Sequence, residues 1–198
     1  MRTKILIIAT LLTSSIVFAQ NTTAEAFSKS YSFEAKKEYK KAISTLLTIK
    51  ENYPVDLRLG WLYYLDGAFN KSKIYYKKAI GFKQKSIEAR FGLVYPISAM
   101  QNWDEVIKVY DEILKINANE NTVNYRLAII YYTRKNWDKA EYYLYKILET
   151  YPFDYDTNLL LGNTFIKNGK IKEAKKVLEL ALLYNPQSKD VLTLLKGL

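Results

Sequence analysis

The 198-residue sequence contains no cysteine and no histidine. Without cysteine the chain can form no disulfide, no thiolate nucleophile, no thiolate-bound zinc or iron–sulfur centre and no lipid-modified N-terminal cysteine. Without histidine it has neither the commonest general base nor the commonest ligand of transition metals. Glycine and proline are scarce as well, at 7 and 4 residues, which excludes collagen-like and low-complexity sequence.

Recognisable catalytic motifs are also missing. The sequence has no glycine-rich nucleotide-binding loop and no Gly-x-Ser-x-Gly elbow. Carboxylates such as Asp104, Glu105 and Glu149 could serve as acid and base, but they stand among lysines at helical spacing, which is typical of a solvated surface. We therefore expect a protein that is not an enzyme, with no catalytic residue, cofactor or metal.

Residues 1–19 have the pattern of a secretory signal peptide. Arg2 and Lys4 precede a mainly apolar run, and Val17-Phe18-Ala19 places small or modest residues at the positions that signal peptidase recognises. The run is shorter than the roughly 20 apolar residues that a membrane-spanning helix needs, and a retained anchor is the alternative. Cleavage after Ala19 would export a chain that begins at Gln20. Its net charge would fall from +10 to +8, because Arg2 and Lys4 are lost.

Tyrosine and lysine are abundant in what remains. The chain has 18 tyrosines, a residue type that is common in interfaces and helix-packing seams. Its lysines are dispersed along the whole sequence instead of clustered, so we expect no nucleic acid as a partner. An anionic polymer or surface of the cell envelope fits the positive charge better.

A pattern with a period of about 34 residues runs through the rest of the chain. A small residue is followed three positions later by an aromatic one in all five copies, as in Gly60 and Tyr63. A second, mostly small position recurs in steps of 34 after a first step of 30, at Ala42, Ser72, Val106, Ala140 and Ala174. Four residues further on stand Leu46, Tyr76, Tyr110, Leu144 and Leu178.

This pattern resembles the tetratricopeptide repeat, a helix–turn–helix unit of 34 residues. The best copies contain Tyr125-Arg-Leu-Ala128 with Ala140 and Pro152, and Leu161-Gly162 with Ala174 and Pro186. The resemblance implies an all-α fold, a right-handed α-solenoid of about five repeats plus a C-terminal capping helix. The expected segments are a signal peptide at 1–19 and an array at 20–198, with units at about 23–54, 53–84, 85–120, 121–154 and 155–188 and the cap at 189–198.

Single residues add local expectations. Gly60, Gly92, Ala128 and Gly162 should lie where helices cross, since a larger side chain would hold the helices apart. Gly67 and Gly169 should form turns. Lys29-Ser30 stands where the repeat is expected to have Leu-Gly, so we expect the first copy to be a frayed N-terminal cap. Pro96 cannot donate a backbone hydrogen bond, and we expect the first helix of the third copy to kink or stop early.

The first helices of successive units should line a concave surface. Leu57, Trp61 and Tyr64 fall at i, i+4 and i+7 on one of them, and Tyr125 and Tyr132 stand at equivalent positions in the fourth unit. We interpret these aromatic residues as a binding stripe. The alternative is that the rings only pack against their neighbours, which is the usual role of such a stripe.

Three of the four arginines after residue 19 occupy the same place in consecutive units, at Arg58, Arg90 and Arg126. A guanidinium group can bind a carboxylate or phosphate with a planar fork that lysine lacks. Two alternatives stay open: the arginines were inherited when the repeat was duplicated, or their aliphatic stems cover apolar surface. Carboxylate-clamp members of the family use lysine and asparagine, but the corresponding places here carry Leu57 and Trp61, so that specificity is not expected. The candidate partner-binding residues are Arg58, Trp61, Tyr64, Arg90, Tyr125, Arg126 and Tyr132.

The sequence thus predicts an exported, non-catalytic scaffold that binds a protein or peptide segment, with acidic groups among the possible contacts. Two alternatives stay open. One is a structural subunit of an envelope complex or a self-assembling repeat protein, and the other is a binder of anionic glycan.

Overall fold

The computed structural model describes residues 22–198, and all regular structure in that stretch is helical. The predicted signal peptide at 1–19 lies outside the described residues. The first helix covers residues 22–35 (α1). The others are α2 (Tyr39–Leu46), α3 (Tyr53–Leu65), α4 (Phe69–Phe82), α5 (Ile87–Ala99), α6 (Trp103–Ile116), α7 (Asn121–Thr133), α8 (Trp137–Leu148), α9 (Tyr155–Lys167), α10 (Ile171–Tyr184) and α11 (Lys189–Lys196).

The helices pack as hairpins within two compact units, residues 22–109 and 110–198. In the N-terminal unit, α3 packs on α2 and α4, and α4 packs on α5. In the C-terminal unit, α7 pairs with α8, α9 pairs with α10, and α11 covers the end of α10. The predicted fold class, an all-α solenoid of helix–turn–helix repeats with a capping helix, is confirmed.

Five turns between paired helices share one backbone geometry. Each has a residue of positive φ, between 57° and 76°, and these residues are Lys37, Gly67, Gln101, Lys135 and Gly169. The next residue donates its N–H to the carbonyl five positions earlier, as Ala68 does to Tyr63 at 2.9 Å. This closes the helix end in a Schellman-type motif. The turns predicted at Gly67 and Gly169 are confirmed, and three non-glycine residues adopt the same conformation.

The ring of Tyr76 occupies the space between two helix backbones in the N-terminal unit. A β-carbon on Gly60 of α3 would lie 2.8 Å from Cγ of Tyr76, and one on Gly92 of α5 would lie 2.7 Å from its Cζ. In the C-terminal unit a β-carbon on Gly162 would lie 2.6 Å from Cδ2 of Leu178. The glycines therefore lie at helix contacts, as predicted, because any side chain there would displace a neighbour.

Pro96 does not end its helix. Of the two outcomes expected there, an early stop is wrong, because α5 continues to Ala99 and Met100 then donates its N–H to the Pro96 carbonyl at 3.1 Å. Proline removes one helical hydrogen bond, the one that would run to the carbonyl four residues earlier. The turn that follows keeps its own bonds, and Pro96 is buried.

Asp56 is a buried carboxylate at a position where two other repeats have an amide. Asn158 donates its side-chain amide to the carbonyls of Pro152 and Asp154 at 3.0 and 2.9 Å, and Asn124 donates to that of Ala118 at 3.2 Å. Asp56 is fully buried, and neither of its carboxylate oxygens has a hydrogen-bond partner. Burial, with a smaller effect of the Glu51 charge, raises the pKa of Asp56 above its ordinary value.

We predict that Gly92→Ala lowers the free energy of unfolding by about 1–3 kcal/mol, because the new methyl group overlaps the Tyr76 ring. Urea denaturation measures the loss. Gly81→Ala, in α4, is the matched control: a β-carbon there meets nothing within 4 Å, so alanine should stabilise the helix by about 0.5–1 kcal/mol. In a Tyr76→Leu background the cost of Gly92→Ala should shrink, and an unchanged cost would contradict the proposed overlap.

Asp56→Asn should stabilise the protein by about 1 kcal/mol at pH 7, because the amide can donate where the carboxylate cannot. The folded state raises the pKa of Asp56, so the wild type loses stability as pH rises from about 4, the unfolded pKa, through the higher folded value. The gain from asparagine should therefore be smaller at pH 4 than at pH 7. Asn158→Asp is the reciprocal control and should destabilise most at pH 7. Unfolding curves at both pH values test the pair, and a gain independent of pH would refute this account.

Candidate partner-binding site

The N-terminal unit contains a cavity of about 370 Å³ whose walls come from α1, α3, α4 and α5. We call it the N-terminal cavity, and its lining residues are Phe27, Tyr31, Pro54, Leu57, Arg58, Trp61, Tyr76 and Glu88. Ligand sites typically measure about 300–1,000 Å³ and combine apolar or aromatic walls with a few polar groups. The N-terminal cavity has this composition.

Arg58 is held inside the protein by Glu34 of α1. It is 8% exposed, its Nη2 donates to Oε2 of Glu34, and its guanidinium carbon lies 3.9 Å from the centre of the Tyr31 ring. Trp61 donates its Nε1–H to the other oxygen of Glu34 at 2.8 Å. A single carboxylate therefore joins α1 to two of the predicted binding residues on α3, while Nε of Arg58 has no hydrogen-bond partner.

The predicted aromatic stripe forms a cluster that includes a ring that sequence reasoning missed. Trp61 lies 5.6 Å from Tyr64 between ring centres, and Tyr95 of α5 lies 5.8 Å from Trp61 and 5.5 Å from Tyr64. The repeat register places Tyr95 at a packing position, equivalent to the buried Tyr63. It is instead 47% exposed beside the stripe. No feature of the sequence separated Tyr95 from its buried equivalents.

The three aligned arginines have different surroundings. Arg58 is paired as described, and Arg90 donates Nη1 to the carbonyls of Gln84 and Ser86 at 2.7 and 3.0 Å, which ties it to the segment before its own helix. Arg126 is exposed and makes no hydrogen bond or ion pair within residues 22–198. The ability of this row to bind carboxylates stays a prediction, and Arg126 is the member whose donors are unoccupied.

In the C-terminal unit, Tyr125 and Tyr132 have different roles. Tyr125 lines a second cavity of about 370 Å³, the C-terminal cavity, together with Asn121, Thr122, Ile147, Tyr151, Asp154, Asp156 and Thr157. Burial, followed by the charges of Asp156 and Asp154, raises the pKa of Tyr125, so its hydroxyl stays protonated at neutral pH. Tyr132 instead packs edge-on against Trp137, with 5.3 Å between ring centres.

Neither cavity is lined by a lysine, although lysine is the commonest charged residue of the chain. The charged residues that line the N-terminal cavity are Arg58, already paired with Glu34, and Glu88, whose Oε2 accepts a hydrogen bond from Tyr53 at 2.7 Å. Those of the C-terminal cavity are Asp154 and Asp156. The cavity walls therefore offer no unpaired positive charge to an acidic ligand.

Within residues 22–198, no three acidic side chains come together in a way that could hold a metal ion. None of the helices in this stretch has the length and apolar character needed to cross a membrane.

Comparison with known proteins agrees with this architecture. Models described as tetratricopeptide repeat match residues 57–86 and 133–198. The TPR repeat-containing protein MJ1428 of Methanocaldococcus jannaschii is 30% identical over 115 residues, which is 58% of this chain and 20% of that protein. The chain spans no more than about a fifth of the length of the curated relatives that it matches.

Two solved structures illustrate the shared fold. The crystal structure of MamA matches with a TM-score of 0.68 and 21% identity, over 82% of this chain and 91% of that one. YrrB, described as a TPR protein with an unusual peptide-binding site, matches with a TM-score of 0.67 and 14% identity, over 94% and 97%. At these identities the likeness establishes the fold alone.

Because Arg58 and Arg126 have different surroundings, we predict that replacing each by lysine changes the free energy of unfolding by different amounts. Arg58→Lys should lower the free energy of unfolding by about 1–3 kcal/mol, because lysine can neither stack on Tyr31 in the same way nor keep the guanidinium geometry toward Glu34. Arg126→Lys should change it by less than about 0.5 kcal/mol, since that side chain is exposed. Urea denaturation of the two variants compares them, and equal losses would be inconsistent with the buried Arg58–Glu34 pair.

Proposed function

We propose that this chain is a tetratricopeptide repeat protein that serves as an exported, non-catalytic scaffold and binds a segment of another protein on its first helices. The fold is in general that of protein–protein interaction modules. Export to the cell envelope and binding in the groove are the specific parts of the proposal.

The observation that carries the proposal is the exposed aromatic surface around the N-terminal cavity. Tyr31 is 55% exposed and lies against the buried Arg58. Tyr95 is 47% exposed and lies against the half-buried Trp61 and Tyr64. Aromatic residues are enriched where protein interfaces form, because they bury a large area at low entropic cost. The peptide-binding site named for YrrB supports the same use of the fold.

Arg126 supports an acidic residue in the bound segment. It is exposed beside Tyr125, and its donors have no partner within the described stretch. A planar guanidinium binds a carboxylate through two parallel hydrogen bonds, which lysine cannot reproduce. The acidic contact is therefore assigned to Arg126 and not to the cavity walls, whose arginine is already paired.

Export rests on the signal-peptide pattern of residues 1–19. A positive start, a short apolar run and Ala19 before Gln20 are the features that direct secretion and cleavage. The mature protein would begin at Gln20 and function in the periplasm or outside the cell.

Self-association is a second candidate, favoured by a separate apolar patch in the C-terminal unit. Tyr151, Phe153, Leu183 and Tyr184 are 54–73% exposed, and three of them line a cavity of about 310 Å³ around Pro152. Exposed apolar patches often mark interaction surfaces. Sedimentation at micromolar concentration decides between the two candidates, because a monomer would count against self-assembly.

The proposal is tested by capture of the partner from an envelope extract. The full chain, expressed with its own N-terminal segment in a bacterial host, should be recovered with Gln20 as its first residue and used as bait, with mass spectrometry of retained proteins. Arg126→Lys should weaken binding of the captured partner about tenfold or more, because charge-assisted hydrogen bonds are lost. Arg134→Lys, the same substitution at the C-terminus of α7, is the matched control.

Three results would each overturn a part of the proposal. An intact Met1 form lodged in the membrane would reject export. A captured partner that binds wild type and Arg126→Lys equally would remove the acidic contact, and the absence of any specific partner would reject the scaffold function.

A further inference from the structure

The hydroxyl of Tyr76 has no part in the packing of the helices. Tyr76 belongs to α4, a second helix, but it lines the N-terminal cavity because its ring extends between α3 and α5 at Gly60 and Gly92. The equivalent positions of α2, α8 and α10 carry Leu46, Leu144 and Leu178, which are fully buried, and that of α6 carries a second buried tyrosine, Tyr110. An apolar side chain therefore satisfies the packing at this position, and the phenol adds a polar atom to the cavity.

Two hydrogen-bond donors at this cavity have no partner. Tyr76 is 3% exposed, and its hydroxyl makes no hydrogen bond within residues 22–198. Arg58 is 8% exposed, lines the same cavity, and has an unpaired Nε–H. The Arg58 Nε–H is fully buried, whereas the Tyr76 hydroxyl stays accessible from the cavity, so an oxygen acceptor bound there can take a hydrogen bond from Tyr76.

The charges of the cavity restrict that acceptor. The Arg58 guanidinium is neutralised by Glu34, and the remaining charged group in the lining is the Glu88 carboxylate. An acidic side chain would meet Glu88 without an unpaired cation to stabilise it. A cationic side chain would meet the guanidinium of Arg58 and would have no oxygen acceptor to offer the two donors. An uncharged group that carries an oxygen meets neither difficulty.

The apolar walls of the N-terminal cavity favour an apolar or aromatic group in the rest of the ligand. Phe27, Tyr31 and Trp61 supply aromatic surface, and Leu57 and Pro54 supply aliphatic surface. Aromatic rings pack favourably against such walls, and a tyrosine joins a ring to an oxygen at its tip.

We propose that the N-terminal cavity binds a tyrosine side chain of the partner protein, whose ring packs between the aromatic walls and whose phenolic oxygen accepts a hydrogen bond from Tyr76. This inference rests on the proposed scaffold function and names the residue type that its groove selects. Tyr76 acts as a specificity-determining residue, and Gly60 and Gly92 allow its ring to reach the cavity.

N-acetyl-tyrosinamide is the probe that tests the cavity without a known partner. It is titrated into the ¹⁵N-labelled full chain while the indole N–H resonance of Trp61, assigned by Trp61→Phe, is followed by NMR. We expect N-acetyl-tyrosinamide to bind about twofold to tenfold more tightly than N-acetyl-phenylalaninamide, the gain of one hydrogen bond. The glutamic acid and lysine analogues should bind more weakly than either.

Tyr76→Phe separates recognition from packing, because it keeps the ring between Gly60 and Gly92 and removes only the hydroxyl. In this variant the preference for tyrosinamide over phenylalaninamide should disappear. Tyr76→Leu, which introduces the residue type found at this position in α2, α8 and α10, provides a second variant with the same expected loss. Tyr63→Phe is the matched control: Tyr63 is equally buried but stacks on Tyr75 outside the cavity lining, so the preference should persist.

Equal affinities for the two amides in the wild type, or a preference that survives in Tyr76→Phe, would overturn the inference. So would tighter binding of the glutamic acid or lysine analogue. These results are independent of partner capture. A partner that binds Tyr76→Phe as well as wild type overturns the tyrosine site and leaves the scaffold function standing. A tyrosinamide preference with no captured partner supports the cavity and rejects the scaffold.

Discussion

Close approach of helix backbones is the constraint on which this structure depends. A single pair of amphipathic helices cannot bury its own apolar face, so each pair must lie tightly against the next. The chain meets this requirement with small residues at repeating positions, and the fully buried examples are Ala42, Ser72, Ala79, Ala89, Ala128, Ala140, Ala174 and Ala181. Where the approach leaves a gap, one side chain fills it: Leu178 at Gly162, and Tyr76 at Gly60 and Gly92. Tyr76 also lines the N-terminal cavity.

Glu34 links two residues of the proposed binding surface to the contact between α1 and α3. Its carboxylate accepts hydrogen bonds from both Arg58 and Trp61, so the residues that the repeat pattern marked for recognition also join α1 to α3. A bound segment would therefore meet a surface that is already rigid. Preorganised surfaces lose less entropy on binding, which favours specific recognition.

The fold was predictable from the sequence, because period and small-residue positions reflect packing that every repeat shares. The turns at Gly67 and Gly169 could be predicted because glycine favours a left-handed backbone. Three other turns have the same backbone without a glycine, at Lys37, Gln101 and Lys135. The site was predictable only as a set of positions. Arg58 is paired with Glu34, which lies 24 residues earlier on another helix. A repeat pattern does not predict such a pair, because the other repeats do not share it. Asp56 also looks like an ordinary surface carboxylate until its burial is known.

The packing of Tyr76 limits how this array can exchange its parts. Tandem repeat proteins evolve by gaining and losing whole units, which requires each unit to accept any neighbour. Here the side chain and one of the glycines that accommodate it belong to different hairpins. Tyr76 lies in the hairpin of α3 and α4, and Gly92 lies in α5, the first helix of the next hairpin. If recombination placed after α4 a helix with alanine at the position of Gly92, its methyl group would overlap the Tyr76 ring. If it placed α5 after a helix with leucine at the position of Tyr76, the space beside Gly92 would be left unfilled. The hairpin of α3 and α4 and the hairpin that α5 begins are therefore expected to be inherited as one module.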